Sequence, residues 1–168
     1  LAGLDIDYRV TALPEVDESY PDTLSGEEIP LYISQEKAAA YRRFMKDNTL
    51  LITADTIVRL DGKVYGKPRD TADAKAMLQA LSGKTHTVIT GVTLTSLQKQ
   101  LSFAVSTEVT FAALGDDEID YYVETYRPLD KAGAYGVQEW IGYIGVTGLK
   151  GSYYNVMGLP IQRLYTEL

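Results

Sequence analysis

The sequence predicts a single α/β domain with a mixed, twisted sheet flanked by helices. Apolar residues recur at helical spacing in several segments separated by strand-like runs. Two long strand patterns follow one another directly over residues 86–96 and 100–113. No repeat, low-complexity stretch or Pro/Gly/Ser linker divides the chain, so residues 1–168 read as one unit. A chain of this length buries roughly 70% of the surface its unfolded form exposes.

Residues 3–12 read as a short strand, and residues 14–26 as a loop rich in acids, Glu15, Asp17 and Glu18, closed by Pro21. Pro30 suits the first turn of a helix running to about Met45, in which Ile29, Ile33, Ala40 and Phe44 form an apolar stripe. Lys37 lies within that stripe. Its stem either covers apolar surface with the charge in water, or its ammonium points into a cleft, and spacing leaves both open. Residues 50–58 read as a buried strand that turns at Asp61 and Gly62 into a second strand ending in Gly66, Lys67 and Pro68. Asp70 or Thr71 caps the next helix, which buries Ala74, Met77, Leu78 and Leu81 and ends at Gly83. In the second long strand, Phe103, Val105, Val109 and Phe111 alternate with Ser102, Ser106, Glu108 and Thr110. Asp116 or Asp117 caps a further helix whose buried side is Ile119, Tyr122, Val123 and Tyr126. The last 40 or so residues are rich in glycine and are expected to wrap a cleft.

The charge balance is 16 Lys and Arg against 23 Asp and Glu, or −7 at neutral pH. That argues against broad binding to a nucleic-acid backbone. A small polyanion still fits, provided a local cluster of cations or a bridging metal receives it. With no cysteine, the chain has no disulfide framework, thiolate zinc site or cysteine nucleophile. No run approaches the ~20 apolar residues of a membrane span and no secretory signal leads the domain, so the expected location is cytoplasmic, with no membrane partner. Because the first residue is Leu1, the sequence is expected to begin inside a longer gene product.

Among candidate chemical groups, Asp55 stands first, a carboxylate in an otherwise apolar strand that needs a partner, hydrogen bonds or a metal if it is buried. The alternative is a cap on the following turn. Lys67 sits in a Gly-Lys-Pro bend, which fixes its backbone and either aims the ammonium toward Asp55 or leaves it in solvent. A carboxylate of the acid loop can join Asp55 around a hard cation such as Mg²⁺. His86 is the only histidine and no Gly-x-Ser-x-Gly elbow accompanies it, so it reads as structural. A Gly-x-x-x-x-Gly-Lys-Ser/Thr loop is absent. Tyr153, Tyr154 and Asn155 read as core and loop packing rather than a stacking platform.

Several stretches together resemble the Maf family of nucleotide pyrophosphatases. They are the Asp17-Glu18 loop, Glu36-Lys37-Ala38, Ala54-Asp55-Thr56-Ile57-Val58, Gly66-Lys67-Pro68, the run from His86 through Thr90 and Gly91 to Val92, the run from Ala132 to Gln138, and the run from Gly151 to Pro160. They occur in family order over nearly the full length. The resemblance implies an elongated fold of two lobes around a cleft, similar to inosine triphosphatase-like proteins, and a homodimer. It implies cleavage of a nucleoside triphosphate between its α and β phosphates with Mg²⁺ or Mn²⁺. Asp55 would then be the catalytic acid that takes the proton of the attacking water and touches the metal, Glu18 would help hold that metal, and Lys37 and Lys67 would neutralise the triphosphate. Thr56 and Gln138 correspond to positions linked with substrate choice. The 132–138 and 151–156 runs resemble the branch acting on dTTP and UTP. The family's Ser-x-Ser-x-Arg-Arg phosphate loop is expected upstream of residue 1. Two rival functions are a non-enzymatic nucleotide-binding regulator of cell division and a hydrolase that clears modified nucleotides.

Overall fold

A computed structural model describes residues 1–12 and 15–168. Its framework is a five-stranded sheet of β1 (Leu51–Leu60), β2 (Lys63–Tyr65), β3 (Thr85–Thr95), β4 (Gln100–Phe111) and β5 (Val146–Lys150). The strands lie in the order β2-β1-β3-β4-β5. Every neighbouring pair is antiparallel, so the expected mixed sheet is corrected to an antiparallel one. The helix between β2 and β3 does carry the chain between strands of the same direction. Those strands lie on opposite sides of β1, however, so no parallel pair forms.

Helix α1 (Glu28–Arg42) covers one face of the sheet, where Ile29 and Ile33 pack with Ile57 and Ile89. Close approach depends on Gly91, since a Cβ there would lie 2.4 Å from the Pro30 carbonyl carbon. On the opposite face, α2 (Thr71–Leu81) and α3 (Asp116–Tyr126) enclose the main core. Leu78, Leu81, Ile119, Tyr122 and Val123 meet Val58, Val88, Val109 and Phe111 there. Asp70 caps α2 by accepting the Asp73 N–H at 2.7 Å.

The last part of the chain contains a 3₁₀ turn (Ala132–Ala134), α4 (Trp140–Gly145), β5, α5 (Tyr153–Met157) and α6 (Ile161–Glu167). Leu164 of α6 joins Val92, Leu94 and Phe103 in a separate small core. No helix among the described residues is long and apolar enough to cross a membrane.

Several local expectations are corrected. Residues 3–12 form no strand; a 3₁₀ turn at Ala2–Leu4 is followed by irregular chain. Ile6, Tyr8 and Val10 alternate as a strand would, yet all three are exposed, having neither a ladder partner nor a face to cover. Helix α1 ends before Met45 and leaves Phe44 59% exposed beneath the Arg43 guanidinium. Gly115, not Asp116 or Asp117, is the N-cap of α3, and those two acids occupy its first turn, where the helix dipole favours them. Tyr126 lies at the rim of the core and stacks on Tyr122. Tyr153 and Tyr154 are exposed, and only Asn155 of that trio is buried. Pro14, the expected start of the acid loop, lies outside the described residues.

Candidate active site

Strand β2 pairs only with residues 58–60 of β1, so its short length leaves the earlier part of β1 open at the sheet margin. Asp55 sits in that open stretch, opposite Gly91 of β3. Because α1 rests on Gly91 at Pro30, Lys37, two turns further along the same face of the helix, reaches β1. Its Nζ donates to the Ala54 carbonyl oxygen at 3.1 Å and to Asp55 Oδ1 at 3.2 Å. The same ammonium lies 3.2 Å from Glu18 Oε1. Lys67, held where the chain bends away from β2, approaches the other Glu18 oxygen at 3.4 Å. Asp55, Lys37, Glu18 and Lys67 therefore form one alternating cluster of charge, although they come from a strand, a helix, a loop and a bend.

Burial distinguishes the two carboxylates. The Asp55 side chain is 9% exposed, against 39% for Glu18. Burial pushes the Asp55 carboxyl above the usual aspartate range; Lys37 opposes this and the nearby Glu18 charge adds to it. Glu18 is also pushed up by burial, but Lys37 and Lys67 together hold it below its ordinary value. Asp17 does not join the cluster. It accepts the Ser19 N–H at 2.8 Å and closes its own turn.

Beside the cluster lies a cavity of about 220 Å³, bordered by Asp55, Thr56, Lys67 and Gln138. Lys37 borders both this cavity and the adjoining groove that contains Glu18. All six residues singled out in the sequence thus converge on one region. The cavity's further walls come largely from the last part of the chain, which was expected to wrap a cleft, although Gln138 was the one side chain there assigned to the site. Asp130 and Lys131 form a charged rim, while Val88, Val156 and Met157 provide an apolar side.

Three buried polar groups support these walls. Thr56 Oγ1 lies 2.9 Å from Thr90 Oγ1, and Thr90 donates to the Asn155 carbonyl at 3.3 Å. Asn155 in turn donates from Nδ2 to the Val105 carbonyl and Thr107 Oγ1, each at 3.0 Å, fixing α5 to the sheet. His86, 1% exposed, contacts the Tyr135 hydroxyl through Nε2 at 2.7 Å, and burial lowers its pKa to about 4. It serves the core behind the cavity wall rather than the charged cluster, as expected of a structural histidine. The available sequence signal for Thr90 was a polar residue among Val88, Ile89 and Val92; for Asn155 none distinguished it from its exposed tyrosine neighbours.

Comparison with known proteins gives this arrangement a lineage. The chain is 66% identical over 168 residues to a protein of Phocaeicola vulgatus named dTTP/UTP pyrophosphatase, covering 100% of this chain and 87% of that one. Proteins of the same name from Bacteroides fragilis and Porphyromonas gingivalis are 62% and 54% identical, over 168 and 170 residues. Both alignments cover 100% of this chain, and 87% and 85% of the respective relatives. Residues 1–168 also match the family described as Maf-like protein. With a full-length match and relatives above half identity, the chain belongs to the Maf family.

Proposed function

We propose that this protein hydrolyses dTTP and UTP to the monophosphate and pyrophosphate. The observation that carries the reading is the convergence of a buried carboxylate, Asp55, with Lys37 and Glu18 at 3.2 Å contacts beside a cavity bordered by Thr56 and Gln138. The relatives' shared name, dTTP/UTP pyrophosphatase, supplies the substrate class.

Asp55 accepts a proton from water as the water oxygen bonds to the α phosphorus. The α–β anhydride bond breaks and its electron pair leaves with pyrophosphate. A carboxylate whose pKa is raised by burial is a stronger base than one at the surface. Lys37 and Lys67 present positive charge where negative charge grows on the phosphoryl oxygens. This small focus lets a protein of net charge −7 bind a polyanion.

Mg²⁺ or Mn²⁺ fits the donor set. Asp55 and Glu18 converge on one ammonium position, and two carboxylates can hold such an ion when phosphate oxygens and water complete its shell. Among the described residues no group of three or more His, Cys, Asp or Glu side chains forms a self-sufficient site, consistent with that sharing. Bound there, the ion would polarise the phosphoryl group as a Lewis acid.

Gln138 carries a donor and an acceptor in one planar amide, complementary to the N–H and flanking carbonyls of a uracil or thymine edge. Cytidine triphosphate is expected to be poorer because its ring nitrogen accepts where uracil donates. The family resemblance supports the finer reading of two lobes around the cleft, an inosine triphosphatase-like arrangement, and a homodimer. We place the reaction in the cytoplasm, with the nucleotide pool it draws on. Pyrophosphate release from equal thymidine, uridine, cytidine and guanosine triphosphates in Mg²⁺ tests the function. Cleavage of the first two is expected, and preference for either of the others overturns the assignment.

A further inference from the structure

Gln138 stands exposed on a tight turn, closed where the Glu139 N–H donates to the Gly136 carbonyl at 3.0 Å. Val137, its neighbour in the turn, points the other way into the main core. Among the described residues nothing hydrogen-bonds the Gln138 side-chain amide, so its direction follows from the backbone beneath it. That backbone is held at both ends by one hydroxyl. The Gly136 N–H donates to Tyr122 Oη at 3.0 Å, and the Tyr122 hydroxyl donates to Glu139 Oε1 at 2.9 Å. A backbone N–H can only donate, which leaves the tyrosine hydrogen for the carboxylate. Glu139 folds back directly over Gly136, where any Cβ would collide with Oε1. The same oxygen lies 3.8 Å from the Lys131 ammonium on the cavity rim. Tyr122 is a rigid post for this turn, since its ring is fully buried with Ile119 and Val123 and stacks on Tyr126 at 5.2 Å. Burial pushes the hydroxyl well above the ordinary tyrosine pKa, so its hydrogen stays in place at neutral pH.

We propose that Tyr122 is a positioning residue for base recognition: its hydroxyl ties both ends of the turn that carries Gln138 and so directs that amide at the pyrimidine edge. The proposal rests on the reading of Gln138 as the base contact and extends it to a residue of α3 that does not border the cavity. Reading a base edge with a planar amide requires that amide to be held within about 0.5 Å and 10–20° of its productive place. A surface turn closed by a single backbone hydrogen bond does not provide that precision. A second tie to a buried ring does, and it reaches the turn from the core side, leaving the outer face of Gln138 open to substrate. Asp55, Lys37 and Lys67 stand on β1, α1 and the bend after β2, so the tie bears on the base and not on the phosphates.

The test measures kcat and KM for UTP and CTP in wild type, Tyr122→Phe, Gln138→Ala, the double variant and Glu139→Ala, with thermal melts to verify folding. Phenylalanine keeps the ring and its packing and removes only the hydroxyl. The UTP to CTP preference should fall about tenfold in Tyr122→Phe, the scale of one lost hydrogen bond. The change should arise mainly in KM, with kcat for UTP kept within about threefold. Glu139→Ala releases the other end of the same turn and should lower the preference too. With Gln138→Ala already in place, Tyr122→Phe should change the preference no further. A hydroxyl that only stabilises the fold would lower the melting temperature and leave these ratios alone. Unchanged preference in a folded Tyr122→Phe overturns the proposal. So does a further fall in the double variant, since the hydroxyl would then act by a route other than Gln138. If Tyr122→Phe does not fold, Glu139→Ala decides, and an unchanged preference there overturns the proposal. Gln138→Ala with the wild-type preference overturns the base contact, and this inference with it, while pyrophosphatase activity stands. A wild type that releases no pyrophosphate from UTP overturns the functional reading as a whole.

Discussion

Asp55 is 9% exposed at its side chain and has the Lys37 ammonium 3.2 Å away, so burial and a neighbouring charge pull its proton affinity in opposite directions. Burial prevails, and the carboxyl titrates above the ordinary aspartate value of 3.8. A general base works only when ionised, so kcat/KM should fall as pH decreases through that raised value. Removing the Lys37 charge removes an influence that lowers the pKa. The acid limb of residual activity in Lys37→Met should therefore move to higher pH, and a limb that stays in place or moves down contradicts the coupling. The overall loss in that variant, as in Lys67→Ala, should be about 10²-fold in kcat/KM, typical of groups facing developing charge. Asp55→Asn tests the base itself: turnover should be abolished, with triphosphate affinity kept within about tenfold because the amide preserves shape. Near-normal hydrolysis by that variant would assign the base elsewhere.

At the scale of elements, the site depends on how closely α1 approaches the sheet. Asp55 pairs with Gly91 across β1 and β3, and it is above Gly91 that the backbone of Pro30 rests. A Cβ 2.4 Å from backbone cannot be relieved by a side-chain rotation, so Gly91→Ala must displace the helix. About 1–3 kcal/mol of destabilisation is expected in denaturant unfolding. Because Lys37 rides on the same helix, kcat/KM should fall as well, even at temperatures where the variant stays folded. Full activity with normal stability would show that α1 tolerates the shift without moving Lys37. The same geometry explains what the sequence could and could not disclose. Apolar runs and periodicity marked β1, α2, β3 and β4 to within a few residues: α2 and β4 show one buried face, whereas β3 is buried on both faces from Val88 to Thr95. They failed for residues 3–12, whose alternating Ile6, Tyr8 and Val10 meet no partner, and they did not resolve β5, in which Gly148 interrupts a short strand. Asp55 was legible as a costly charge in an apolar run. Lys131 and Thr90 were not, since their importance lies in neighbours brought together by long-range folding.

For the molecule as a whole, the buried His86 links stability to pH in a range where most carboxylates remain ionised. Its pKa falls from 6.5 to about 4 because the folded core disfavours the imidazolium, and Phe111 and Tyr135 enclose the ring edge-on. Between those two values the unfolded chain binds a proton that the folded chain does not, so stability must decrease as pH falls. From pH 6.5 to pH 5 the loss attributable to this histidine is roughly 1.5 kcal/mol. Asp55 acts in the opposite sense, since its raised pKa lets the folded state take up a proton before the unfolded chain does. Comparison with His86→Gln separates the two, because the variant keeps Asp55 and loses only the imidazole titration. Glutamine will lower stability at every pH by disturbing the contact with Tyr135, so the informative quantity is the slope rather than the level. Chemical denaturation at closely spaced pH values should show wild-type stability declining toward pH 5 relative to the variant. Parallel curves would mean that His86 gains its proton in the folded core as readily as in the unfolded chain, and that the wall behind Tyr135 is open to water.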